Sequence, residues 1–424
     1  MSTANPPLRE LSCADDYDPN SMPVPKAREV IARFLSPVAT VERVAVRAAL
    51  GRVLAADVIS PVDVPAHDNS AMDGYAVRFA DLNSDGKVTL KVTGSSFAGV
   101  PFKGTVAAGE AVRIMTGGVM PQGADTIVMQ EHAEAGNGQI AIGGGHRRGQ
   151  HLRHAGEDLR QDQPALRRGQ PLRPAEIGLI ASLGIAEVSV YRKLRVAFFS
   201  TGDELVSVGL PLGEGQIYDS NRYTIYGMLT RLGCEVIDMG VVRDDPALLE
   251  IAFREAAAAA DVVITSGGVS VGEADFVKGL LNKLGEVVFW KIAMKPGRPL
   301  AYGKIGNAHF FGLPGNPVSV MVTYYQFVRD ALLKLSGRDP VEPLPTFQVP
   351  CTSTLKKAPG RTEFQRGILT RDAAGNPSVH VTGEQGSGIL RSMSEANCFI
   401  ILPSEQGNVT PGTLVEVQVM EGVI

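Results

Sequence analysis

From residue 195 to residue 335 the chain repeats one pattern: an apolar run, a loop bearing glycine and acid, then a helix-spaced segment. The runs at 195–199, 236–242 and 262–264 read as buried strands, with a further strand at 287–292. Ile225, Met228, Leu229 and Leu232 fall at i, i+3, i+4 and i+7, one face of a helix, and 246–260 and 317–335 have helical length. Alternation of this kind predicts a three-layer α/β domain over these residues with a largely parallel sheet.

The flanks have a different texture. Residues 1–23 are polar and Pro-containing and are expected to form an arm, followed by a helix at 26–35 with Ala27, Val30, Ile31 and Phe34 on one face. Short runs at 88–92 and 126–129, set between Gly, Pro and Asn turns, predict a β-rich unit, and a second β region follows Pro340, Pro343 and Pro345. Gly (47) and Pro (27) together exceed the usual share in 424 residues, which argues for many turns and against a helical bundle. A net charge of −4 argues against a nucleic-acid partner while leaving room for a local anion pocket. The four cysteines (Cys13, Cys234, Cys351, Cys398) form no CxxC pair, so neither a sequence-local zinc site nor a disulfide scaffold is expected. No apolar stretch predicts a signal peptide or a membrane span, and the expected location is the cytoplasm.

Ligands of open α/β sheets bind where strand ends meet helix N-termini. Three glycine-bearing loops fall there: 200–204 after the first strand, 265–275 (with Ser266, Gly267, Gly268 and Ser270) after the third, and 312–317 (with Pro314, Gly315, Asn316 and Pro317) before the last helix. Bare glycine amides and helix N-termini suit a phosphate. No GxGxxG or GxxxxGK[ST] is present, which disfavours a dinucleotide fold and a P-loop. Glu204, Asp244 and Asp275 also stand at strand-to-helix junctions. Each alone reads as a helix cap; together they read as a Mg²⁺ shell bridging to phosphate. Lys291 and Lys295 are the expected balancing cations. The stretch 143–175 carries seven arginines and three histidines; most read as a solvated face.

The block His67-Asp68-Asn69-Ser70-Ala71-Met72-Asp73-Gly74-Tyr75-Ala76 resembles the signature of molybdopterin molybdenumtransferases of the MoeA type, shared with the gephyrin E domain. The resemblance continues through 114–118, Arg153 with 156–158, 200–205, 243–246, 266–275, 291–299, 312–318, 360–367 and 386–387, in order along residues 25–420. Gly118 and His67 depart from residues common in that family.

The resemblance implies an elongated homodimer with four domains per subunit. They are a discontinuous connecting domain (24–53 and 147–189), a β-rich insertion (54–146), the α/β molybdopterin-binding domain (190–337) and a C-terminal β-barrel (340–424). It implies that adenylylated molybdopterin and molybdate are substrates, that AMP is released, and that Mg²⁺ assists. It assigns catalytic roles to Asp68, Thr116, Asp158, Glu204, Asp244, Asp275, Lys291 and Lys295. Substrate contacts go to Arg153, Arg366 and Ser387 beside the glycine loops. It also implies transient contact with a molybdopterin adenylyltransferase and with molybdoenzymes. A molybdopterin adenylyltransferase is one competing reading, although that sibling is a single small domain; a non-catalytic pterin-binding scaffold is the other. The first would consume ATP, whereas the molybdenumtransferase releases AMP from a preloaded pterin.

Overall fold

The computed structural model describes residues 21–82, 86–268 and 275–420. Its largest unit is a six-stranded sheet in the order Glu235–Val242, Arg195–Thr201, Val262–Ser266, Ala308–Leu313, Pro299–Ile305, Gly285–Lys291. The first four strands are parallel; the last two run antiparallel to their neighbours. The sheet is largely parallel as expected, and its edge departs from that for a simple reason. Only Gly306 and Asn307 separate the paired residues Ile305 and Ala308, and a parallel crossover needs a dozen residues or more.

Side chains alternate across this sheet, as the two-residue period of a strand requires. Ala197, Phe199, Val263 and Phe310 point to one face, where the helices Pro246–Ala259 and Asp275–Leu284 cover them. Phe253 sits between Phe199 and Phe310 in edge-to-face contacts of 5.2 and 5.6 Å. Val196, Phe198, Val262, Ile264 and Phe311 point to the other face and pack with the helices Ser220–Arg231 and Pro317–Thr323. The expected single helix over 317–335 is interrupted by a π turn, Tyr324–Val328, before Arg329–Leu335 completes it. Gln326 in that turn is buried; its amide donates to Gln418 Oε1 (2.8 Å) and its carbonyl accepts from Arg28 Nε (2.8 Å).

Two boundaries differ from expectation. The first helix, Val24–Arg33, buries Val24, Ala27, Val30 and Ile31 in the α/β core, so the segment assigned to the connecting domain begins on a different layer. Residues 54–70 do not join the β-rich sheet. Leu54 bridges Val190, Val58–Ile59 pairs with Pro164–Leu166, and Asn69–Ser70 pairs with Leu152–Arg153. Leu54 and Val58 share a small core with Leu172, Ile180 and Val190. The β-rich sheet itself starts at Gly74, in the order Thr126–Met129, Gly74–Val77, Glu110–Ile114, Val88–Ser96, Gln139–Ile142, Ala133–Gly136. A β-rich start at residue 54 is therefore too early: pairing draws 54–66 toward 159–190, while 68–70 bond both to 152–153 and to 117–120.

The C-terminal strands close on themselves. Thr362–Arg371 pairs with both Pro377–Val381 and Cys398–Leu402, which leads to Leu414–Val419 and then Thr346–Pro350. A bridge between Cys351 and Val379 joins the two ends of this path and completes the barrel. Its centre holds Val349, Val379, Cys398, Ile400 and Val417. Met294–Lys295 adds to the outer edge of Thr362–Arg371, tying the barrel to the α/β unit.

Phe253→Ala empties the contact between two sheet aromatics in a closed core. It should lower unfolding free energy by about 3–5 kcal/mol in a urea titration. A loss below about 1 kcal/mol would show that this face of the sheet is loosely packed.

Candidate active site

Three buried parallel strands end in one row. Ser200 pairs with Ser266, and Ser266 pairs with Leu313, so the loops that follow leave the sheet side by side. Between them lies a cleft of about 1000 Å³. The first loop contributes Thr201, Gly202, Asp203 and Glu204, the second Ser266, Gly267 and Gly268, and the third Gly315, Asn316 and Pro317. Asp219, Ser220 and Asn221 enter from the start of the Ser220–Arg231 helix, and Asp244 from the loop before Pro246–Ala259.

The glycines have a steric reason to be there. Gly267 has φ +92°, and a Cβ on it would lie 2.5 Å from the Thr201 carbonyl oxygen. Any other residue would push the first and second loops apart and strain the backbone. Asn221 holds the second and third loops together, donating from Nδ2 to Ser266 Oγ (2.8 Å) and to the Gly315 carbonyl (2.6 Å). Asp219 caps its helix: one carboxylate oxygen accepts from Arg222 N (3.1 Å) and from Ser200 Oγ (3.0 Å). Burial pushes the Asp219 carboxyl above its ordinary range, against the lowering effect of those two bonds.

The expected acids divide here. Glu204 and Asp244 line the cleft, both exposed. The cap of Pro246–Ala259 is Asp245, which accepts from Ala247 N and Leu248 N (both 2.9 Å), so Asp244 is not needed for capping. Asp275 opens the helix Asp275–Leu284, but its side chain and the whole of Ser270 lie outside the described residues. Among the described residues no group of three or more His, Cys, Asp or Glu is placed to hold a metal, and the third expected ligand, the Asp275 side chain, lies outside them. The donor chemistry nevertheless suits Mg²⁺, which takes one or two carboxylates and fills the rest of its shell with water and phosphate oxygens.

The described lining carries Asp203, Glu204, Asp219 and Asp244 and no Lys or Arg. Lys295, expected as a balancing cation, is half-exposed at the barrel seam and pairs with buried Glu363 at 3.5 Å. Lys291 ends the edge strand Gly285–Lys291, and its carbonyl accepts from Met22 N. Arg366 is buried: its guanidinium donates to Ser392 Oγ (2.9 Å) and to the carbonyls of Glu384, Gln385 and Gly386. Desolvation draws it down to about 10. Four of its five N–H donors thus pin this loop, which is what the structure shows for the residue expected to contact substrate. That loop reaches the cleft through Gly388, and the Ser387 carbonyl accepts from Val318 N at the start of the last helix. Pro314 enters through its carbonyl, which accepts from Ser266 Oγ at 3.5 Å.

The remaining expected residues form a second cluster, none of which lines the cleft. Asp68 accepts from Ala155 N (2.8 Å) and faces His154 Nδ1 (3.3 Å). Arg153 pairs in strand register with Asn69, and Asp158 N donates to the Val64 carbonyl. Thr116 donates from both N and Oγ1 to Asp73 Oδ1 (2.7 Å each), which holds the Asp73 carboxyl below its usual range. Within the Arg-rich stretch, Arg148 pairs with Asp125, Arg167 with Asp57 and Arg173 with Glu176, whereas Arg153 is exposed. Asp73, Thr201, Asp219 and Asn221 were not singled out from the sequence. The Asp at 219 ahead of a helix-spaced run is an N-cap signal that could have found the last two.

Family models match along the chain: the MoeA N-terminal region (domain I and II) over 22–184, a probable molybdopterin binding domain over 197–334, and the MoeA C-terminal region (domain IV) over 348–420. The molybdopterin molybdenumtransferase of Haemophilus influenzae is 50% identical over 371 residues, covering 87% of this chain and 91% of the relative. That of Nostoc sp. is 38% identical over 86% of this chain and 85% of the relative. The crystal structure of the molybdopterin biosynthesis moeA protein from Pyrococcus horikoshii OT3 superposes with a TM-score of 0.82 at 28% identity, covering 95% of this chain and 100% of that one. This chain belongs to the MoeA family of molybdopterin molybdenumtransferases.

Proposed function

We propose that the protein is a molybdopterin molybdenumtransferase that takes adenylylated molybdopterin and molybdate as substrates, loads molybdenum onto the pterin dithiolene and releases AMP. The observation that carries this reading is a strand-end cleft lined by bare glycines and four carboxylates, with no Lys or Arg among its described lining residues. Glycine amides and helix N-termini favour a phosphate, yet carboxylates repel one unless a cation intervenes. Glu204 and Asp244 are the groups that would hold Mg²⁺, which when bound supplies Lewis-acid stabilisation of the phosphoanhydride. The chain's own residues shape the rest: Gly267 and Gly268 let the backbone approach the ligand, and Asn221 keeps two loops at fixed spacing. The family's dithiolene carries the soft-metal chemistry, which suits a protein without clustered thiols. Among the described residues no helix is long and apolar enough to cross a membrane, and the reading places the enzyme in the cytoplasm.

The separation of the Asp68–Thr116 cluster from the cleft lining supports a homodimer in which the β-rich unit of one subunit completes the cleft of the other.

Two measurements test these readings. Glu204→Gln and Asp244→Asn should each reduce Mg²⁺- and molybdate-dependent AMP release by about a hundredfold or more, with folding intact. Near-normal release at saturating Mg²⁺ would remove both carboxylates from the metal's shell, and consumption of ATP in place of AMP release would favour the adenylyltransferase. For the dimer, an Asp68→Ala chain is co-expressed with a Glu204→Ala chain. Half of the dimers are then mixed with one intact site in two, giving about a quarter of wild-type activity. Mixed dimers no more active than either parent would place both acids in a single-chain site.

A further inference from the structure

Three oxygens buried at the cleft have no hydrogen-bond partner: Asp219 Oδ2, Asn221 Oδ1 and Thr201 Oγ1. All three residues line the cleft; Asp219 is 2% exposed and Thr201 7%. Buried polar atoms are rarely left unpaired, and three around one cleft call for a shared partner.

Their chemical character is fixed by their neighbours. Asp219 uses Oδ1 for Ser200 and the helix cap, which leaves Oδ2 as an acceptor. The Asn221 amide cannot flip, because the Gly315 carbonyl 2.6 Å from Nδ2 can only accept; its Oδ1 is therefore also an acceptor. Thr201 Oγ1 can donate or accept. A Cβ on Gly267 or Gly268 would come within 3.0 or 2.9 Å of this hydroxyl, so the two bare glycines keep its surroundings clear. Two fixed acceptors and one hydroxyl do not suit a phosphate or a molybdate oxygen, both of which accept. They suit a ligand edge that presents N–H or O–H donors.

Resting on the function proposed above, we propose that Asp219, Asn221 and Thr201 form a specificity site that reads hydrogen-bond donors of the substrate, apart from the groups that handle its phosphates. Two parts of the substrate carry that chemistry, the vicinal hydroxyls of the ribose and the amino edge of the pterin. Asp219 is the central member, since a buried carboxylate oxygen is the strongest acceptor of the three.

The test is titration of the full chain with AMP, 2′,3′-dideoxy-AMP and pterin, for the wild type, Asp219→Asn and Thr201→Val. Asparagine caps a helix as well as aspartate does, so Asp219→Asn retains the cap while turning an acceptor into a donor. If the site reads the ribose, Asp219→Asn weakens AMP binding roughly tenfold and leaves dideoxy-AMP unchanged. If it reads the pterin edge, pterin binding weakens by that factor and AMP does not. Thr201→Val, near-isosteric and suited to a strand, should weaken the same probe several-fold and guards against a folding defect in the first variant. Wild-type affinities for AMP and pterin in both variants, with native circular dichroism, would overturn the proposal and leave these oxygens to water. A wild-type protein that binds neither AMP nor pterin would instead contradict the underlying functional reading.

Discussion

The parallel register that brings Ser200, Ser266 and Leu313 into one row is the constraint on which the cleft depends. All three strands are buried on both faces, so a slip of one residue would turn Phe198 and Phe199, or Phe310 and Phe311, onto the wrong layers. Because that register is held by two apolar cores, the loops after the row can carry polar and strained elements. Gly267 at positive φ, the unpaired oxygens and the exposed carboxylates all stand within a few residues of fully packed strands. Stability lies in the layers below and chemistry at their rim.

The charge pattern around that rim has a consequence for partners. The described lining is acidic; Lys295, one of the two cations expected to balance it, pairs with Glu363, and Arg366 holds a loop of its own barrel. An anionic substrate therefore has to arrive with a divalent ion or meet positive charge from outside this lining. The Asp68–Thr116 cluster, laced by hydrogen bonds to 151–155, presents exposed Arg153 beside it. A second subunit would bring such a surface to the cleft, which makes assembly part of the chemistry in the proposed enzyme.

Much of this was legible in the sequence, for physical reasons that also explain what was missed. Helices with a strong 3.6-residue period, such as the one burying Ala27, Val30 and Ile31, were readable because packing follows that period directly. The antiparallel sheet edge was hidden because a short apolar run does not record its direction; the two-residue Gly306-Asn307 connection was the available clue. Residues 54–66 were set with the β-rich unit although their partners lie near 159–190, because pairing over that distance leaves no local mark. Among polar groups, adjacent Asp244 and Asp245 differ only in which one meets the helix amides. Residue type alone does not reveal that three carbonyls and a hydroxyl surround Arg366. Asp219 was overlooked because cap and site share one side chain.

The central claim is that the loops following the three strands form one binding surface for a phosphate-bearing pterin nucleotide. Hydrogen exchange of the full chain with and without adenylylated molybdopterin and Mg²⁺ tests it directly. The account predicts slowed exchange in all three loops, 201–204, 266–268 and 315–317, and at the start of Ser220–Arg231, with the barrel interior unchanged. Protection confined to one loop, or absent from all of them while the ligand binds elsewhere, would contradict it.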